Sequence, residues 1–224
     1  MPDLPLSPIK DFEAYNRNTK EQYEALGRFI VAFEAMVNEV RVCSIQLLQT
    51  DHVRSKLVDI AFHHPSLSAF PLFEIFRALI IECLGLRDVV ITPKDKDVFR
   101  GVLKTIATEY NWLVSIRNSL IHGTWYIGYS TKDDPNSETF TVFKYKPTSD
   151  GLERQDVPTR AFNLLAMMDR CNDTRNWIAF ICGCVPLPDR PHEPVADRFV
   201  FKDANWRLNM GNDVKLETLP RKSL

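Results

Sequence analysis

Most of the short patterns that announce a chemistry are missing from this chain. No GxGxxG, Walker A, GxSxG or HExxH run occurs, and no EF-hand loop. Nothing therefore points to a dinucleotide, a phosphate-loop nucleotide, an acyl-transfer serine or a helical zinc site. The five cysteines (Cys43, Cys83, Cys171, Cys182, Cys184) form no CxxC pair and no Cys/His spacing of the zinc kind. No metal or other cofactor is expected. Most of these thiols fall at apolar positions of predicted helices, where a free cysteine behaves as a small hydrophobe. An odd number of unpaired cysteines predicts a reducing, cytoplasmic compartment. The opening MPDLPLSPIKDF has neither a basic n-region nor an apolar h-region, so no signal peptide is expected there. No window reaches the roughly 18 apolar residues of a membrane span. Excess charge is lacking too: 28 Lys and Arg stand against 29 Asp and Glu, for a net charge of −1. No global field would gather nucleic acid or an anionic membrane, and any RNA contact has to come from a local patch. There is no internal repeat and no low-complexity tract.

What is present is an ordinary globular composition, 45% hydrophobic and 25% charged over 224 residues, enough for one large domain or one domain with an appendage. Residues 1–11 hold three prolines and read as an extended lead-in. From about Phe12 to Gln49, Tyr23, Leu26, Ile30, Phe33, Val37, Val40, Ile45 and Leu48 trace a broad apolar helical stripe. Gly27 inside it suggests a close helix–helix approach, and Asp51 suits the cap of a following turn. HHPSLSAFP at 63–71 breaks the periodicity, and adjacent His63 and His64 without acidic or thiol partners read as a surface turn. Residues 67–85 predict a very apolar helix, which implies burial in the bundle or against a second subunit. Its Arg77 reads as half of an exposed salt bridge.

After a central helix, TWYIGY (124–129) and TFTVFKYK (139–146) are rich in aromatic and β-branched residues and predict a β-hairpin. Trp125, Tyr126 and Tyr129 read as its packing face rather than as base-stacking groups. A polar linker is expected over 147–157, then Pro158 in the first turn of a last long helix, with Asp156 or Thr159 as caps. Pro186, Pro188, Pro191 and Pro194 end regular helix, and RFVFK and DVKLETL beyond them are weak strand candidates. The tail carries no basic arm. The expected fold is mainly α: a four-helix-type bundle over 1–184 with a β-hairpin at about 124–146, and an irregular, proline-containing extension over 185–224.

The stretch from Lys94 to Gly123 organises the rest. Val98, Val102, Ile106, Tyr110 and Leu113 place one apolar face on a helix. Asn111, Ser115, Asn118, Ser119 and His122 form a second stripe of uncharged polar groups, with Arg117 beside it, and Gly123 suits a helix end. Asn118 and His122 stack one turn apart. Arg117 and His122 differ by roughly 140° around the axis and about 7.5 Å along it, within reach of a long guanidinium. At a helix C-terminus the dipole favours the imidazolium and raises the pKa of His122. One proton-transfer group beside one permanent cation suits chemistry at a phosphate.

RNSLIH at 117–122 resembles the RNxxxH form of the Arg-x4–6-His motif of HEPN-domain proteins, and it lies on a core helix as that family's motif does. The resemblance covers roughly residues 12–184 and is specific over these six. It implies an HEPN-like fold, a homodimer with both motifs lining one cleft, and metal-independent endoribonuclease activity. Arg117 would then hold the scissile phosphate of the RNA substrate, His122 would act as general base or acid for the 2′-hydroxyl, and Asn118 would orient His122 or the phosphate. Asn111, Ser115 and Ser119 are possible substrate-binding groups. A toxin–antitoxin or anti-phage defence role follows by the same resemblance, with an antitoxin or other protein as partner. Thr124 stands where some toxin members carry a tyrosine, and the hairpin and tail are additions. Two other readings stand beside it. One is a non-catalytic HEPN-like module binding nucleotide, RNA or a protein. The other is a purely structural interaction protein in which Arg117 pairs with a carboxylate and His122 caps its helix.

Overall fold

The computed structural model describes residues 12–48, 55–64, 67–86, 92–121, 124–126, 139–149, 151–185, 195, 199–202, 205–209 and 213–214. These residues are mostly helical: α1 (Phe12–Leu48), α2 (Ser55–Phe62), α3 (Ala69–Leu86), α4 (Pro93–Ile121) and α5 (Ala161–Gly183). Two antiparallel sheets accompany them, β1 (Thr124–Tyr126), β2 (Thr139–Thr148) and β3 (Gly151–Arg160), then β4 (Phe199–Lys202), β5 (Asn205–Asn209) and β6 (Asp213–Val214). Among the described residues, no helix is long and apolar enough to cross a membrane.

The long helices follow from spacing. In α1, Ala25, Phe29, Ala32, Phe33, Met36, Val37 and Val40 recur at three and four residues, and all are buried. α4 starts at a capping box. The Thr92 hydroxyl accepts from the Asp95 amide (3.1 Å) and donates to the Asp95 carboxylate (2.6 Å), with Pro93 between them in the first helical position.

The chain divides into two compact units. One comprises Met1–Ala32, Ser115–Arg170 and Lys222–Leu224, the other Phe33–Val114 and Cys171–Arg221. In the second unit, stretches of four helices interlock. The Cys182 thiol of α5 donates to the Cys43 carbonyl of α1 (3.8 Å), and the Cys83 thiol of α3 donates to the Leu47 carbonyl of α1 (3.8 Å). α3 meets α4 where Phe73 stacks on Tyr110 at 4.5 Å, and the Tyr110 hydroxyl donates to the Ala69 carbonyl (3.1 Å). An aromatic pair of this geometry contributes roughly 0.5–1.5 kcal/mol beyond its burial. The tail sheet closes on the same unit: Phe199 of β4 meets Trp177 of α5 edge-on at 5.8 Å, and Trp206 of β5 lies on Gly101 of α4.

Four sequence expectations change. The extension over 185–224, expected to be irregular, carries the sheet β4–β5–β6, whose strands pair with one another. Residues 147–157 are not a linker but pair in β2 and β3, from Thr148↔Gly151 to Thr139↔Arg160, so a three-stranded sheet stands where a two-stranded hairpin was expected. A two-residue loop closes this pair, and Gly151 takes φ 127°, a backbone conformation that costs glycine little and other residues much. Pro158, Asp156 and Thr159 consequently lie in β3 rather than at a helix start, and α5 begins at Ala161. β3 is an edge strand, where a proline without an N–H is tolerated. Gly27 is exposed, and a Cβ there would meet nothing within 4 Å. The close approach is at Gly101, where a Cβ would stand 2.6 Å from the Trp206 ring. Asp51 lies outside the described residues. His63 and His64 occupy an exposed turn, as their neighbouring proline suggests.

Candidate functional site

The polar stripe of α4 divides between the two units. Asn111 belongs to the second unit and is half-buried beside Tyr110 and Trp112 in sequence. Ser115, Arg117, Asn118 and Ser119 belong to the first. There Ser115 is exposed, while Arg117, Asn118 and Ser119 are half-buried and Leu120 anchors the turn at 2% exposure. The Arg117 guanidinium donates from Nη1 to Asn118 Oδ1 at 3.4 Å, a long contact between consecutive side chains. Asn118 thus braces the arginine. The role expected from the resemblance, orienting His122 or the phosphate, involves a residue that lies outside the described ones. His122 and Gly123 lie outside the described residues, as does Tyr129.

The chemistry available here is that of a permanently charged, planar donor group at the C-terminal turn of a long helix. A guanidinium offers paired N–H groups that match phosphate oxygens, and its charge survives any physiological pH.

A cleft of about 370 Å³ lies elsewhere in the first unit, between the early turns of α1 and the β3–α5 junction. Asn18, Glu21, Gln22, Glu24, Ala25 and Arg28 line one side, and Arg160, Ala161, Phe162 and Leu165 the other. No residue of the polar stripe lines it. Sequence reasoning missed this cleft for a physical reason: Glu24 and Arg28, 2.5 Å apart in an exposed i,i+4 pair, carry the signature of a solvated helix face. Arg160 and Phe162 straddle a strand-to-helix junction that the sequence hid inside a supposed helix. Among the described residues, no group of three or more His, Cys, Asp or Glu is placed to hold a metal ion.

Among the described residues, two titratable groups depart clearly from their ordinary values, and both belong to the core. A hydrogen bond with Cys182, reinforced by burial, drives the Cys43 thiol far up, so it stays protonated and is no nucleophile. Burial pushes the Tyr110 phenol above its ordinary 10.0, with Arg41 opposing and Glu34 adding. All five cysteines are buried, and none forms a disulfide.

The chain matches no protein-family model, no curated protein and no solved structure.

Proposed function

We propose that this protein is a metal-independent endoribonuclease of HEPN type, a homodimer acting in a toxin–antitoxin or defence setting in the cytoplasm. The observation that supports it most is the Arg117–Asn118 brace at the end of α4, in the sequence RNSLIH. Arg117 neutralises the scissile phosphate and the extra negative charge that develops on it as the 2′-hydroxyl attacks. His122 removes the proton of that hydroxyl or delivers one to the departing 5′-oxygen. Attack by the 2′-oxygen forms a bond to phosphorus and breaks the bond to the 5′-oxygen, which leaves a 2′,3′-cyclic phosphate.

The test is cleavage of a mixed RNA pool in EDTA by wild type and His122→Ala. The proposal expects cleavage by the first only, with 2′,3′-cyclic phosphate ends. Equal inertness of two folded, dimeric preparations would remove it.

A second reading is favoured by the cleft between α1 and α5, which is large enough for a small ligand and excludes the motif residues. On that reading the protein is a non-catalytic module binding nucleotide, RNA or a protein partner. Binding that His122→Ala leaves intact, with affinity falling steeply as salt rises, would mark a phosphate-binding module.

A further inference from the structure

Helix α3 buries one side and leaves a regular line on the other. Leu72, Phe73, Phe76 and Ile80 are fully buried, whereas Phe70 is 41% and Ile81 45% exposed. Between these two lie Glu74 and Arg77, joined in solvent by a salt bridge of 3.0 Å. Phe70, Glu74, Arg77 and Ile81 are separated by four, three and four residues. At 3.6 residues per turn that spacing holds all four within a sector of about 60°, along a single seam of the helix. Ala78 and Ile75 continue the exposed surface beside it, Ile75 at 36%.

The order along the seam is apolar, acid, base, apolar, and its spacing reads the same from either end. An antiparallel second helix with this sequence, related by a two-fold axis level with Ile75 and Phe76, sets Phe70 against Ile81 twice and Glu74 against Arg77 twice. Such a match between a surface and its own rotated copy is what a closed two-fold interface requires. The two large apolar groups leave water together, and each guanidinium meets a carboxylate from each helix. A partner of unrelated sequence has no reason to require this palindromic order.

We propose that the exposed seam of α3 is an interface with a second copy of this chain, formed by antiparallel α3–α3 packing. One helix pair falls at the small end of specific interfaces, so the association is concentration-dependent. The inference stands on α3 alone and does not rest on RNA cleavage.

Sedimentation equilibrium of the full chain over a wide concentration range tests it, with circular dichroism reporting folding. Wild type reaches a dimer. Ile81→Asp weakens association by on the order of tenfold or more, since it places a charge against Phe70 of the second copy where two apolar groups leave water together. Glu74→Arg and Arg77→Glu each weaken it when alone, because like charges then meet across the axis. An equimolar mixture of these two variants recovers association as a heterodimer, since every cross-axis pair is again opposite in sign. A merely structural role of the Glu74–Arg77 pair within its own helix would not produce that recovery. Wild type that stays monomeric, or a dimer indifferent to Ile81→Asp, or variants that fail to rescue one another, each overturns the proposal.

Discussion

From Val98 to Val114, α4 buries Val98, Phe99, Val102, Leu103, Ile106, Ala107, Tyr110, Leu113 and Val114, whereas Ser115 to Ser119 are half-buried or exposed. The first stretch is fastened by aromatic stacking and by the Ala69 carbonyl, whereas in the second Leu120 is the buried side chain and Arg117 meets Asn118 in a long bond. The same helix thus carries a deeply buried part and a part whose polar side chains stay within reach of solvent. Polar side chains that reach solvent at a helix end beside an arginine can meet a ligand, which the buried stretch cannot.

The contrast predicts opposite consequences of substitution. Tyr110→Ala removes a fully buried ring, its stack on Phe73 and its hydroxyl bond. It should cost about 3–5 kcal/mol in urea unfolding, the range for large-to-small core changes. Arg117→Ala should do the reverse: unfolding moves by far less than in Tyr110→Ala, while RNA cleavage falls by about 100-fold, as for loss of one transition-state donor. A large loss of stability in Arg117→Ala would place that arginine with the scaffold and erase the distinction.

Gly101→Ala sharpens the scaffold side. Its methyl would enter the space of the Trp206 ring, so a cost of about 1–3 kcal/mol is expected by thermal or chemical unfolding, as for overpacking. Alkaline unfolding tests Tyr110 again. Because its folded pKa is raised, the associated stability is complete below pH 10 and declines as pH rises from there toward the folded value. Wild type should therefore lose up to about 1.4 kcal/mol per pH unit more than Tyr110→Phe in that window. Gly27→Ala is the control with the smallest effect. In an open helical position it should stabilise by about 0.5–1 kcal/mol. Destabilisation there would restore the close approach expected from sequence.

How far the sequence could be read depends on the range of the forces involved. α1 and α4 were legible because a 3.6-residue period of Phe, Val, Ile and Leu admits one buried face. The capping box at Thr92 and Asp95 is equally local, yet it lay two residues before the expected helix start. β3 was not legible. LERQDVPTR has neither alternation nor β-branched density, and it becomes a strand because it pairs along β2 through a turn closed by Gly151. Strand preference reflects such neighbours more than it reflects the residues themselves. The motif at 117–122 was visible as spacing, but the bond between Arg117 and Asn118 depends on rotamers that spacing does not state.

By itself, then, the sequence determined the helical class, the main apolar faces and the polar stripe near the end of α4, since each follows from periodicity within one element. Tertiary structure alone decided which glycine meets a tryptophan, that a polar segment pairs as β3, where the cleft between α1 and α5 opens, and that α3 keeps a seam in solvent. Those outcomes depend on which distant surfaces meet, and a residue's own preference of a few tenths of a kcal/mol does not choose between such partners.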